Sequence, residues 1–379
     1  MSDFNHLKDF LEPVSMSMLS EDEGYREGQL GKTIRLYDEE LPDIEDAHVI
    51  ILGCPEERGE YILPSNLSAP DAVRQQFYSL YNWHKEIRIV DIGNIKKGNS
   101  LADSHAALKL VLRELYTAGK TVIILGGSHD NTLAQYQAYA AEKRMIEAVC
   151  VDAKIDIDME SPRPSDHFLM EMLTGEPNYL KHYNHIAFQS YYVHPHMLET
   201  MDKLRFDCFR VGHVRDNIEE MEPVFRSADM MSFDISAIAH AYAPANHETP
   251  NGLTGEDACM LTRFAGMSPS MSSVGIYGYS VAKDSHQLTA KQIGQMLWYF
   301  VDGMFRGMKE ADLKEKNHFN EFHIAFGEIE TTFLQSKKTG RWWMQLPDQQ
   351  FIACSYEDYL RASRNEMPER WIRAQERSL

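Results

Sequence analysis

The sequence is short of cysteine, of basic charge and of long apolar runs, and each shortage excludes something. Its five cysteines, Cys54, Cys150, Cys208, Cys259 and Cys354, are scattered and odd in number, with no CxxC pair. No disulfide framework is implied, and a reducing compartment fits. Lys and Arg number 38 against 57 Asp and Glu, a formal net charge of −19. Gripping phosphates takes a basic surplus, so this balance argues against a nucleic-acid partner. No run approaches the roughly 20 apolar residues of a membrane span. The opening MSDFNHLKDFLEP has early acidic residues and no apolar core of signal-peptide length. The expectation is a soluble cytoplasmic protein without membrane contact. Internal repeats and low-complexity tracts are also missing.

What is present is a hydrophobic fraction of 43%, enough for a sizeable core. Short Val- and Ile-rich runs recur at 47–53, 87–93, 120–127, 146–153, 185–190, 229–236 and 273–280. They read as buried strands. Helical patterns lie between several of them, as from Ser100 to Ala118 and from Asn131 to Lys143. Alternating strand and helix predicts an α/β fold whose mostly parallel sheet is covered on both faces. Residues 1–45 and 306–379 fall outside the alternation and read as extensions of a 46–305 domain. In the second, FLQSKK and RWWMQL flank Thr339-Gly340 as a hairpin, and a helix is expected from Tyr356 onward. Trp342, Trp343 and Trp371 cover either the core or a neighbouring subunit, packing within the chain being the favoured reading.

Ligands of such sheets bind beyond the carboxyl ends of the strands. Three of these ends carry chemistry: Gly126-Gly127-Ser128-His129-Asp130, Asp152-Ala153-Lys154-Ile155-Asp156 and Asp234-Ile235-Ser236. If these strands are neighbours, His129, Asp152, Asp156 and Asp234 meet at one rim. Three carboxylates and an imidazole in a small volume are costly unless a cation neutralises them. Hard oxygen donors with one His suit Mn²⁺ or Mg²⁺ better than structural Zn²⁺. Each piece alone is weak, since GGSHD also reads as a glycine turn before a helix and DAKIDID as a solvated strand end. It is no EF-hand loop, because Ile157 and Arg163 stand where that loop needs Gly and Glu.

In this order GGSHD, VDAKIDID and SFDIS resemble the GGDHS, DAHxD and SFDxD motifs of the arginase, agmatinase and formimidoylglutamase (ureohydrolase) family. ILGCPEERG with SAPDAVRQQFY resembles its first strand and GPxAIR segment. AYAPANHETPNGLTGEDA resembles the APGTGTPxxGGLT loop, and SVGIYGYSVAKD resembles a strand that normally ends in a glutamate. The flavour is that of the formimidoylglutamase-like branch. The resemblance implies a three-layer α/β/α arginase-like fold and a homo-oligomer, a trimer or a dimer of trimers. It also implies a hydrolase that attacks an amidine or guanidine carbon with water activated between two Mn²⁺ ions.

The residues depart from that pattern. His129, Asp152, Asp156 and Asp234 match the protein ligands of one ion, whereas Lys154 replaces the second ion's histidine and Ser236 its private aspartate. A protonated lysine offers no lone pair and repels a divalent cation, so the expectation is one ion at most, and none is an open alternative. The Lys154 ammonium is expected where that ion would sit, pairing with Asp152 and Asp234. Gly278 falls at the family glutamate. Ser165-Asp166-His167 resembles the GNxHG segment, which makes His167 a candidate proton shuttle or simply a surface loop histidine. Asn246 and His247 mark a candidate substrate loop.

Two functions stay open. One is hydrolysis of a linear amidine, formimidoylglutamate or a guanidino compound, at a single metal, with Lys154 stabilising developing negative charge. The other is an inactive member of the fold that serves as a binding or assembly module for a protein partner.

Overall fold

A strand buried on both faces needs apolar side chains at every position, and the Val/Ile runs become such strands. The computed structural model describes residues 4–14, 24–60, 62, 65–326 and 329–378. Parts of the expected N-terminal extension, residues 1–3 and 15–23, lie outside the described residues. Ten strands form the main sheet: β1 (Leu11–Glu12), β2 (Arg35–Leu36), β3 (Val49–Cys54), β4 (Ile89–Ile95), β5 (Thr121–Gly126), β6 (Ile146–Val151), β7 (Leu180–Phe188), β8 (Asp207–Arg210), β9 (Met230–Asp234) and β10 (Ser273–Tyr277). Their order is β1-β4-β3-β5-β10-β9-β6-β7-β8, with β2 also on β4. Among the described residues, only the β1–β4 pair of this sheet is antiparallel.

Alternate residues of each strand feed opposite cores. Val49, Ile51, Ile123, Leu125, Val149 and Val151 pack with Phe77, Phe225, Leu261 and Leu297, from the helices Ala69–Tyr78, Glu222–Arg226, Gly255–Met267 and Leu288–Gly307. Ile50, Leu52, Val122, Ile124 and Ala148 pack on the other face with Leu112, Tyr139 and Leu169, from Leu101–Thr117, Asn131–Ala141 and Phe168–Thr174. The result is the expected three-layer α/β/α architecture. The first helix of that second face starts where its sequence asks it to. Ser100 Oγ accepts the Asp103 N–H at 3.1 Å while Asp103 Oδ2 accepts the Ser100 N–H at 2.9 Å, a capping box.

The C-terminal region is richer than a hairpin and a helix. β11 (Phe319–Phe326), β12 (Ile329–Ser336), β13 (Trp342–Gln345) and β14 (Phe351–Cys354) form a four-stranded antiparallel meander. Gly340, at φ +76°, turns the chain between β12 and β13. The helical stretch divides into Tyr356–Ser363 and Glu369–Ser378, because Asn365 adopts φ +64° and Pro368 follows. Trp342, Trp343 and Trp371 are all buried within the chain. Polar contacts fasten this unit to the core: Arg226 donates to the Trp342 carbonyl at 2.6 Å and lies over the Trp343 ring, while Arg373 reaches Asp202 at 3.1 Å and Arg377 reaches Asp207 at 3.0 Å. Among the described residues, no helix is long and apolar enough to cross a membrane.

Candidate metal centre

Four consecutive strands of the sheet, β5, β10, β9 and β6, point their carboxyl ends at one cleft of about 130 Å³. The expected adjacency needs correcting. β5 neighbours neither β6 nor β9, because β10 enters between β5 and β9. Convergence survives because the residues stand on loops just past the strand ends. His129 follows β5 in the turn that starts helix Asn131–Ala141, Asp152 and Asp156 follow β6, and Asp234 ends β9.

His129 is the hub. Its Nδ1 lies 3.1 Å from Asp152 Oδ2, 3.3 Å from Asp156 Oδ2 and 3.7 Å from Asp234 Oδ2. All four side chains are buried. The opposite nitrogen, Nε2, is 2.8 Å from Ser232 Oγ, which is 2.6 Å from Thr132 Oγ1. That contact turns the ring so that Nδ1 faces the carboxylates. Cys150 Sγ also approaches Nε2, at 3.8 Å, and with His129 and Asp152 it forms a group whose donor atoms lie within 4.8 Å of one another. Its thiol is pushed up by burial, which disfavours a thiolate ligand.

The electrostatics are those of a cation site. Burial opposes charge on His129, but its hydrogen bonds to Asp152 and Asp156 prevail and hold its proton well above the usual range. Burial likewise works against ionised Asp152, and His129 overcomes it and holds that carboxyl low. Asp156 and Asp234 are raised by burial and by the charge on Asp152. One imidazolium therefore faces three carboxyl groups, and the buried Asp156 Oδ2 has His129, at 3.3 Å, as its ion-pair partner but no well-aligned hydrogen bond. Three buried carboxyl groups sharing one imidazole fit a hard divalent cation such as Mn²⁺.

Lys154 does not sit among the ligands. The expected pairing of its ammonium with Asp152 and Asp234 gives way to an ion pair with Glu248, which follows Asn246 and His247 in the candidate substrate loop. Only its backbone N–H reaches the cluster, 3.1 Å from Asp152 Oδ1. Ser236 Oγ donates to the same oxygen at 2.6 Å, and its N–H donates to Asp234 Oδ1 at 2.7 Å. Gly278, at φ +74°, donates its N–H to the Gly127 carbonyl at 2.8 Å. A Cβ there would fall 2.5 Å from Asp234 Oδ2, so glycine is required by the close approach of the carboxylate.

The other expected site residues divide. His247 lines the cleft, its ring 5.8 Å from that of His240. Asn246 lines it too, but its side chain is spent on the loop: Nδ2 donates to Ser236 O at 3.1 Å and Ile238 O at 2.7 Å, and Oδ1 accepts from the backbone of Glu248 and Thr249. It shapes the loop and leaves no group for a ligand. His167 is not among the cleft-lining side chains, although Ser165 and Asp166 are. Its Nδ1 lies 3.5 Å from Glu171, which places it outside the expected shuttle position.

The motifs did not single out Glu60, Arg163, Glu248 or Lys283, all of which line the cleft. Glu60 Oε1 accepts the His129 backbone N–H at 3.2 Å, and burial together with Asp234 raises its carboxyl. Its only signal was a glutamate beside Gly59, the glycine that packs against Asp130.

Comparison with known proteins identifies the family. The arginase family model matches residues 47–301. The chain belongs to the arginase family. Relatives include the formimidoylglutamase of Hahella chejuensis, 24% identical over 52% of this chain and 67% of that protein. That of Staphylococcus aureus is 24% identical over 66% and 85%. Among solved structures, Trypanosoma cruzi formiminoglutamase with Mn²⁺ superposes at a TM-score of 0.63, 18% identical, covering 69% of this chain and 95% of that one. Bacillus subtilis formimidoylglutamase reaches 0.65 at 17% identity, covering 80% and 99%. The formimidoylglutamase-like flavour of the motifs is thus matched by the relatives, and the arginase-like fold by the structures.

Proposed function

We propose that this chain hydrolyses a carbon–nitrogen bond of a linear amidine, or of a guanidino compound, at a centre that holds one divalent cation, manganese first. The observation that supports it most is the meeting of His129 Nδ1 with three aspartate oxygens within 3.1–3.7 Å on a cleft floor. His129, Asp152, Asp156 and Asp234 would hold the ion, and a divalent ion there supplies Lewis acidity and eases deprotonation of water.

The rest falls to the chain's own groups. Ser232 fixes the His129 ring with Nδ1 toward the carboxylates, where it would be available to hold the cation. Ser236 Oγ and the Lys154 N–H occupy Asp152 Oδ1, which orients Oδ2 toward His129. The donors that would hold a second ion are engaged elsewhere, Ser236 with Asp152 and Lys154 with Glu248. Lys154 brings positive charge to the cleft, shared with Glu248 through their ion pair.

The same engagements favour a second reading, a family member kept for binding or assembly. Tying both replaced positions to the chain itself suits a site that has given up chemistry. Metal analysis of the purified protein, combined with assays for released formamide, urea and ammonia from formimidoylglutamate and guanidino compounds, separates the two. The hydrolase reading expects bound manganese and turnover that removing the metal abolishes. Protein that is metal-free after manganese loading, with no product above background, supports the binding module.

A further inference from the structure

Glu248 is the carboxylate at the mouth of the cleft, and it is held as a ligand would be. One oxygen, Oε2, pairs with Lys154 Nζ; the other, Oε1, lies 3.9 Å from Arg163 Nη1. Lys154 stands two residues beyond Asp152, so this seat adjoins the metal floor. Arg163 is braced by Asp166 at 2.9 Å. Lys283 lines the same cleft as a third cation.

The backbone of Glu248 is anchored independently of its side chain. Its N–H donates to Asn246 Oδ1 at 2.9 Å, and Tyr192 Oη donates to its carbonyl at 2.9 Å. The carboxylate side chain is 46% exposed. Rotation about its side-chain bonds therefore empties the seat without any movement of the loop. Gly278 also lines the cleft and has no side chain to pair with a cationic head group, and Asp234 leaves no room for one there; of the other acidic lining groups outside the metal floor, Asp166 is taken by Arg163 and Glu60 is buried against the His129 backbone.

We propose that Lys154 and Arg163 form a carboxylate-binding seat, that Glu248 fills it as an internal stand-in, and that the cleft takes carboxylate-bearing ligands in preference to cationic ones. This rests on the cleft being the substrate site, but its test reads binding rather than turnover. A ligand carboxylate displaces Glu248 and takes the charge-assisted hydrogen bonds from Lys154. Affinity is then reduced by the fraction of molecules in which Glu248 occupies the seat.

Titration calorimetry on the manganese-loaded full chain, at low salt, compares glutarate with 1,5-diaminopentane, which have the same length and opposite charge. Glutarate is expected to bind and the diamine to give no heat. Glu248→Gln removes the competitor and is expected to tighten glutarate by about tenfold. Lys154→Met is expected to weaken it by about tenfold or more. If Lys154→Met does not fold, Arg163→Gln, at a partly exposed position, takes its place with an expected weakening of about threefold. Glutarate binding that ignores Lys154 and Arg163, no gain in Glu248→Gln, or preference for the diamine overturns the proposal. An inactive chain that still binds glutarate through Lys154 upholds the seat while the hydrolase reading fails. Turnover without Lys154-dependent glutarate binding does the reverse.

Discussion

Ser236 Oγ lies 2.6 Å from Asp152 Oδ1, and the serine hydroxyl is the donor. A residue at a ligand position thus serves as a prop for its neighbour's carboxylate. Asp152 keeps one oxygen for the Ser236 hydroxyl and the Lys154 N–H and turns the other to His129. This division of labour is what the proposed one-ion reading rests on, and it has measurable consequences.

Restoring both replaced positions should restore the second ion. The double variant Lys154→His with Ser236→Asp is expected to raise bound manganese from about one to about two per chain, because it supplies an imidazole and a carboxylate of the right hardness. Elemental analysis after gel filtration reads the result. Either single variant should leave the content near one.

Ser232 acts on the metal only through His129. Ser232→Ala is expected to weaken manganese binding by about 10- to 100-fold, the usual effect of losing the partner that orients a ligating imidazole. A competition titration against a chelator measures it, and an unchanged melting curve separates loss of orientation from loss of fold.

Gly278 should refuse every side chain, including the glutamate that the family pattern places there. At φ +74°, with a Cβ 2.5 Å from Asp234 Oδ2, Gly278→Ala is expected to cost about 2 kcal/mol or more. Denaturant melts read the loss. Gly278→Glu is expected to be worse, and not to increase turnover.

The C-terminal helix should undock in acid. Burial pushes the Asp207 carboxyl up, but His182, Arg377 and Arg373 outweigh burial and hold it below its ordinary value. A carboxyl lowered in the folded state stabilises fully above its unfolded pKa of about 3.9 and loses that contribution as pH falls through the lower folded value. Trp371 fluorescence is expected to stay constant down to about pH 4 and change below it. Asp207→Asn should weaken docking at neutral pH and flatten that response.

Arg226, held by Glu222 on the same helix, ties the C-terminal unit to the core through the Trp342 carbonyl. Arg226→Ala leaves a buried carboxylate partly compensated by Arg341 at 3.3 Å, and is expected to destabilise by about 3 kcal/mol in thermal or chemical melts.

Most of the frame was legible because buried parallel strands must be apolar at every position. The Val/Ile runs became strands, and the loops behind them carried His129, Asp152, Asp156 and Asp234 to one cleft. β8 escaped notice because Asp207-Cys208-Phe209-Arg210 is short and polar at both ends. β11 and β14 escaped because their partners are set by a meander, not by any local pattern. Lys154 was legible as an intrusion, whereas its partner Glu248 depends on how a loop folds back over the cleft, which spacing does not encode. His167 failed for the same reason in reverse: a motif-like segment placed Ser165 and Asp166 at the cleft and turned the histidine toward Glu171.

The most direct test is the manganese content of the purified, manganese-loaded chain beside that of Asp152→Asn. The one-ion account expects about one manganese per chain in the first and almost none in the second. Two ions in the unaltered chain, or equal content in both proteins, contradicts it.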